Sequence, residues 1–276
     1  MYNVPMSFEW KKIGGSTYMA KIGICTVGMY MLSDGGAVLI DTGSKPSEPL
    51  LEYFEGGSTH LSAVIQTHLH IDHYANTDTL CAFFNCPAYA TEGEINARHN
   101  ALSLPLTAIP SEGILEIEGT VFKIISTPGH STDHISVITP DNICFIGDVL
   151  MHERLAAHAK LPYMFRTAQA IESMKKTERL GCDYYVLAHT GLVSKEEYPH
   201  LAEINIKKEE ELYDALLEIA KEKPRELFAF FNRFFELQDI NISDPMLYTI
   251  HAECLYGKVL DLCEAGRLTL EDGTVS

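Results

Sequence analysis

The densest group of chemically active side chains in the sequence is a run of six residues with four potential metal ligands. The run begins at His68 and also contains His70, Asp72 and His73, and it follows an apolar segment, Leu61–Gln66. Alternate side chains of an extended segment point the same way, so His68 and His70 can reach one ion. The chain should then turn into a helix that carries the other two groups. Because one ion cannot easily take all four, the spacing favours two adjacent ions.

Three more candidate ligands each follow a predicted buried strand. They are His130 after Val121–Ser126, Asp148 after Ile143–Ile146, and His189 after Tyr184–Ala188. A single histidine or aspartate at a strand end often makes only hydrogen bonds. Beside the cluster at 68–73, however, each of these residues becomes a candidate ligand.

The order of these motifs resembles that of the metallo-β-lactamase-fold hydrolase superfamily. The matching motifs are Asp41-Thr42-Gly43, the cluster at 68–73, Gly129-His130, Gly147-Asp148 and His189-Thr190-Gly191. The resemblance covers roughly residues 17–195. It implies an α/β (α+β) fold, a four-layer αββα sandwich with a metal site at one edge of its sheets, followed here by a small helical C-terminal module.

The resemblance also implies two divalent metal ions as cofactors. The implied positions are His68, His70 and His130 on the first ion, Asp72, His73 and His189 on the second, Asp148 as a bridge, and Asp41 as a hydrogen-bonding support for the ligand loops. Imidazole and carboxylate donors suit zinc, and iron or manganese binds such mixed sites too.

The chemistry implied by such a site is hydrolysis. Two adjacent cations share a water and lower its pKa, which gives a metal-bridging hydroxide near neutral pH. Asp72 is the predicted catalytic residue, because its carboxylate can orient the nucleophile and move a proton to the leaving group. His134 is interpreted as a packing or hydrogen-bonding residue. A dinuclear hydrolase of a small ester, lactone or thioester is therefore expected. The alternatives are a mononuclear iron sulfur-oxygenating enzyme of the same fold, a phosphodiesterase, or a non-catalytic ligand-binding member.

The segment Val149–Arg166 is predicted to lack regular structure and to face the substrate. Its candidate substrate-binding residues are His152, Tyr163 and Arg166, with Arg154 and His158 as further polar groups. The bridging position is an aspartate, whereas the best-known zinc β-lactamases place a cysteine there. β-Lactamase activity is therefore not expected as the main function.

The hydrophobic pattern divides the chain into a catalytic domain, 1–195, and a helical module, 196–276. In the first part it predicts strands over 17–26 and 28–33, one helix after His73 and another over Thr167–Leu180. In the second part it predicts three helices, the last one starting at Asp244-Pro245 and ending near Gly266, followed by a strand over 268–270. This module weakly resembles the winged-helix-like tail of some superfamily members or the helical tail of the glyoxalase II branch.

Charge and composition limit the partners. The 276 residues include 21 basic and 38 acidic side chains, a net charge of −17, which repels polyanions and disfavours nucleic acid. No apolar run approaches the ~18 residues of a membrane span, and no secretory signal is predicted. Seven cysteines without paired spacing are typical of reduced, buried thiols in a cytoplasmic protein. The expected partner is a small-molecule substrate, and a homodimer is compatible with the sequence.

Overall fold

The computed structural model describes residues 8–97, 103 and 105–276. One sheet follows chain order: β1 (Lys11–Gly14), β2 (Thr17–Ile22), β3 (Cys25–Met31), β4 (Gly36–Ile40), β5 (His60–Ile65), β6 (Ala88–Thr91) and β7 (Thr107–Ile109). The other contains β8 (Gly113–Ile117), β9 (Thr120–Ser126), β10 (Ile135–Ile138), β11 (Ile143–Phe145), β12 (Tyr184–Leu187) and β13 (Gly191–Ser194). Its strands pair consecutively, and only β11 and β12 run parallel.

Helices connect and follow these strands. They are α1 (Glu48–Glu55), α2 (Ile71–Tyr74), α3 (Thr77–Phe84), α4 (Glu92–Ala97), α5 (Glu153–His158), α6 (Thr167–Glu178), α7 (Tyr198–Glu222), α8 (Leu227–Leu237) and α9 (Pro245–Glu264). A small sheet near the C-terminus contains β14 (Arg225–Glu226), β15 (Leu270–Glu271) and β16 (Thr274–Val275).

Three clusters of buried apolar side chains define the layers. Val38 of the first sheet and Val137 of the second belong to a cluster that fills the space between the sheets. A second cluster joins the outer face of the first sheet to α1 and α3. A third joins the outer face of the second sheet to α6 and α7. Each sheet is therefore covered on both faces, which confirms the predicted αββα sandwich.

The structure corrects four of the predicted elements. The strand predicted over 17–26 is interrupted by a turn at Gly23. This glycine has a φ of 72°, which an extended strand does not adopt, so β2 ends at Ile22. The helix expected after His73 is two short helices, α2 and α3. The segment Val149–Arg166, expected to lack regular structure, contains α5. The strand expected over 268–270 begins only at Leu270. In each case the pattern of apolar residues alone did not show where a turn interrupts a helix or strand, or where the helix or strand begins.

The three predicted C-terminal helices are present. The Asp244 side chain accepts a hydrogen bond from the Met246 amide, which caps the N-terminus of α9. The α7, α8 and α9 helices share an apolar cluster that includes Phe231 and Leu255. The start of α7 instead packs through Leu201 into the cluster beneath the second sheet. Because α7 contributes to both cores, the C-terminal helices are packed against the sandwich.

All seven cysteines are free thiols, and five of them are buried. This agrees with the interpretation of reduced thiols. Within the described segments, no helix has the length and apolar character needed to cross a membrane.

A buried ion pair joins α9 to α7. Lys258 is fully buried and contacts the Glu209 carboxylate, and its Nζ lies 2.5 Å from Thr167 Oγ1 at the start of α6. Thr167 Oγ1 also donates to Glu209 at 3.1 Å. Each buried charge in this junction therefore has a partner, as buried charges require.

We expect Lys258→Met to destabilise the protein by about 3–5 kcal/mol, because the substitution leaves the Glu209 carboxylate buried without its partner. The double variant Lys258→Met/Glu209→Leu should recover much of this loss, since no unpaired charge remains. Denaturant unfolding of the three proteins measures both effects. A single variant as stable as the wild type would contradict the assigned role of the pair.

Candidate metal centre

The seven predicted ligands come together at one edge of the sandwich, beyond the ends of four strands. β5 leads into the segment with His68 and His70, β9 into the turn with His130, β11 into Asp148, and β12 into His189. Neighbouring strands in a sheet end close to one another, so residues distant in sequence meet there. The structure thus brings together the groups that the sequence analysis selected.

Three histidines form the first group. Ligand atoms of His68, His70 and His130 lie within 4.8 Å of one another. The Nε2 atom of His130 is 2.9 Å from Nδ1 of His70, and the ring centroids of His68 and His130 are 4.9 Å apart. Three imidazole nitrogens converging on one point form a donor set suited to a transition metal ion.

The second group contains Asp72, His73, Asp148 and His189, whose ligand atoms also lie within 4.8 Å of one another. Asp148 connects the two groups. Its Oδ2 is 3.3 Å from Nε2 of His130 in the first group and 3.4 Å from Nε2 of His73 in the second. Its Oδ1 lies 3.3 Å from Nε2 of His189. This is the arrangement expected of a bridging carboxylate.

Two imidazole nitrogens indicate that these residues fit a metal ion. Nε2 of His68 and Nε2 of His73 are buried, and neither makes a hydrogen bond with a described residue. Buried polar atoms without a partner are costly, and a metal ion would satisfy both. Burial lowers the pKa of His68 well below its usual value, and the neighbouring imidazoles lower it further. His68 is therefore neutral, which is the form that binds metal.

Asp41 holds the second group from behind. Its carboxylate is 97% buried and accepts hydrogen bonds from the Thr67 amide at 2.8 Å and the Thr67 hydroxyl at 2.9 Å. It also lies 2.9 Å from Nδ1 of His73, which orients the ring so that Nε2 faces the site. Asp41 adopts a left-handed φ of 58°, a conformation in which aspartate is enriched.

His134 supports the predicted bridge. It is fully buried, and its Nε2 accepts the backbone N–H of Asp148 at 3.2 Å while its Nδ1 pairs with the Thr127 hydroxyl at 2.9 Å. Burial, aided by neighbouring His130, lowers the pKa of His134 to about 3, so the ring is neutral and can accept this bond. The hydrogen-bonding interpretation of His134 agrees with these contacts.

Glu94 is a positioning residue that sequence reasoning missed. Its buried carboxylate on α4 accepts the Leu69 N–H at 3.0 Å, between two predicted ligands, and the Asp133 N–H at 3.3 Å. Glu94 therefore ties the loop of the first histidines to the loop that follows His130. The sequence offers no signal for it, because a glutamate in a short helical segment is ordinarily exposed.

His130 contacts the segment 163–166, and this segment is bound in turn to α9. Its Nδ1 pairs with the Tyr163 carbonyl at 2.9 Å, which leaves Nε2 facing the site. A few residues on, the Arg166 side chain donates to the Asp261 carboxylate of α9 at 2.6 Å. Asp261 also accepts the Ala168 amide at 2.9 Å. The C-terminal region thus contributes to the position of a predicted ligand.

The three candidate substrate residues occupy different places. His152 and Tyr163 line a cavity beside the ligands, and the Tyr163 ring packs edge-on against His70 with centroids 5.3 Å apart. Arg166 lies outside the lining of this cavity, and its guanidinium is paired with Asp261 and Glu264. Its observed contacts are those of a link between the sandwich and α9.

Residues 22–189 match the model of the metallo-beta-lactamase superfamily, a stretch that contains the complete ligand set. The chain belongs to the metallo-beta-lactamase superfamily. Its structure is similar to a crystal structure of a metallo-beta-lactamase family protein from Thermus thermophilus, with a TM-score of 0.72 and 14% identity over 94% of this chain and 98% of that chain. At this identity the likeness shows a shared fold, and it extends into the C-terminal helices.

Two curated superfamily relatives carry functional names. A hydroxyacylglutathione hydrolase from Buchnera aphidicola is 28% identical over 162 residues, which are 57% of this chain and 61% of that protein. An atrochrysone carboxyl ACP thioesterase from Aspergillus fumigatus is 27% identical over 202 residues, or 70% of this chain and 61% of that protein. The chain spans 41% to 61% of the length of the first relatives it matches.

Proposed function

We propose that this protein is a dinuclear metal-dependent hydrolase that acts on small thioesters and related esters or lactones. The main support for this proposal is the position of Asp148, whose carboxylate lies between two groups of candidate ligands. One group offers three imidazoles, and the other offers two imidazoles and Asp72. Zinc is the proposed metal, because neutral imidazole and carboxylate donors suit it.

Bound in the two groups, divalent ions would lower the pKa of a water and polarise a carbonyl oxygen. The chain supplies the remaining parts of the reaction. Asp72 has a partly exposed carboxylate, 28% accessible, whose Oδ2 lies 3.5 Å from Nε2 of His189. From this position it can orient the attacking water and carry the water's proton to the leaving group.

The relatives and the charge of the chain favour a carbonyl substrate over a nucleic acid. Acylglutathione and acyl carrier protein substrates, which the names of the relatives denote, are thioesters. A nucleic acid would require many Lys and Arg contacts to phosphates. This chain has a net charge of −17, and Val149–Arg166 carries only two arginines and one lysine.

A mononuclear iron enzyme is the second candidate, because it needs only the first group of histidines. The second group speaks against it. Asp72, His73 and His189 converge as closely as the first three ligands, and Asp41 orients His73 toward them. A site that binds one ion would not require this second group of ligands, nor a carboxylate that orients one of them.

The test is a side-by-side rate comparison of the zinc-loaded protein on a thioester panel, a lactone panel and a structured RNA at physiological salt. We expect turnover of the carbonyl substrates and little or no RNA cleavage. Efficient RNA cleavage without carbonyl turnover would overturn the proposed substrate class.

A further inference from the structure

Two adjoining compartments open on the candidate metal centre. The first is a partly open pocket of about 150 Å³, whose lining includes the apolar side chains of Leu150, Met151 and Met164. The second is an open groove of about 740 Å³ on the other side of His189. Leu155, His189 and Thr190 line both compartments and therefore lie at their shared boundary.

The predicted proton donor identifies the side on which the leaving group departs. Asp72 lines the groove and is absent from the lining of the smaller pocket. A group that delivers a proton to the leaving sulfur must lie within hydrogen-bond reach of it. The sulfur and the carrier attached to it therefore belong in the groove, and the acyl group belongs in the pocket.

The pocket limits the size of the acyl group. A cavity of about 150 Å³ holds a molecule of roughly six carbon atoms, such as benzene. Leu150 and Met164 are each 97% buried and belong to the cluster beneath the second sheet, so these walls are held by core packing. Leu155, which is 39% exposed, lies on a wall that a longer chain could displace.

The groove carries positive charge in an otherwise acidic protein. Lys21, Arg154 and His158 line it, and Asp72, a predicted metal ligand, is its only carboxylate among the lining residues. Lys21 donates to the His189 carbonyl, which fixes its ammonium near the site. Arg154 is exposed, and within the described segments its guanidinium forms no salt bridge. The Lys21 ammonium and the Arg154 guanidinium suit an anionic carrier such as a phosphate or a carboxylate.

We infer that the site selects thioesters that join a small apolar acyl group, of up to about six carbons, to a thiol carrier bearing negative charge. This inference rests on the proposed hydrolase function and adds the orientation of the substrate, with the acyl group in the pocket and the carrier in the groove. In the reaction, the oxygen of water bonds to the carbonyl carbon, and the carbon–sulfur bond breaks with its electron pair on sulfur. The proton lost by water reaches sulfur through Asp72, so the products are a carboxylic acid and a thiol.

The acyl part is tested with coenzyme A thioesters of increasing chain length. For the zinc-loaded wild type, kcat/KM should rise roughly threefold to fourfold per added methylene up to about hexanoyl. It should fall at least ~10-fold by decanoyl, since overfilling a packed site is costly. Leu155→Ala should abolish this fall by joining pocket and groove. The control Leu237→Ala, at a similarly exposed leucine on α8, should keep the wild-type profile.

The carrier part is tested by comparing butyryl-coenzyme A with the butyryl thioester of the neutral thiol N-acetylcysteamine. Arg154→Glu should lower kcat/KM for the coenzyme A thioester on the order of 10-fold more than for the neutral thioester. The control Lys207→Glu, at an exposed position of α7, should affect neither. Turnover that ignores both chain length and the charge at position 154 would overturn this inference alone. Absence of turnover on every thioester would overturn the proposed function as well.

Discussion

Replacing Asp72 by asparagine should lower kcat by at least ~10²-fold while both metal ions stay bound, because general acid–base groups contribute factors of this size. Asparagine keeps the shape of the side chain and one oxygen that can serve as a ligand. It cannot take up and release a proton, so the loss falls on the transition state rather than on metal binding. Elemental analysis of the purified variant and steady-state kinetics on the best thioester separate the two effects.

Asp34→Asn is the matched control for this experiment. Asp34 is an exposed aspartate in the turn between β3 and β4, outside both ligand groups of the proposed dinuclear site. It should retain wild-type kcat and metal content. An Asp72→Asn protein with two ions and full kcat would show that another group handles the proton.

The second large effect is expected at Asp41. Asp41→Asn should weaken metal binding about 10–100-fold, the usual cost of removing a partner that orients a ligand. The carboxylate accepts the Thr67 backbone N–H on Oδ1 and contacts Nδ1 of His73 with Oδ2, whereas asparagine must turn its donor NH2 group toward one of these two partners, so one of the two hydrogen bonds is lost. Either loss disturbs the support of the ligand loops, in which this carboxylate holds His73 with its Nε2 toward the second group. Competition with a chromophoric chelator measures the affinity.

Asparagine tolerates the left-handed conformation of position 41, so this variant tests the hydrogen bonds and not backbone strain. Asp272→Asn provides the control, because Asp272 is exposed and has a similar φ of 48°. It should bind metal like the wild type. Wild-type affinity in the Asp41→Asn protein would mean that the ligand loops hold their shape without this carboxylate.

The sequence predicted the parts of the fold and of the site that depend on repeated local patterns. Alternation after an apolar strand was enough to place His68 and His70 together, and helix-start chemistry was enough to find α9 at Asp244. The family resemblance supplied the pairing of the remaining ligands, which no local pattern contains. The structure shows those residues converging as the resemblance implied.

What the sequence could not predict are contacts between distant segments. Glu94 accepts a hydrogen bond from the Leu69 amide, 25 residues away in sequence, and Asp261 accepts one from Arg166, 95 residues away. Neither pair has a spacing that a helix or strand pattern would indicate. Arg166 was selected as a substrate residue because it is a cation in a ligand-flanked segment. Its guanidinium is instead paired with carboxylates of α9, and only the tertiary structure shows that pairing.

The most direct test of the proposed dinuclear site is a metal titration of the metal-free protein with activity followed at each step. Chelated protein is supplied with increasing zinc, bound metal is counted by elemental analysis, and thioester turnover is measured in parallel. We expect no turnover without metal, saturation at two ions per chain, and full turnover only when both are bound. Full turnover in metal-free protein, or saturation of binding and activity at a single ion, would contradict this expectation.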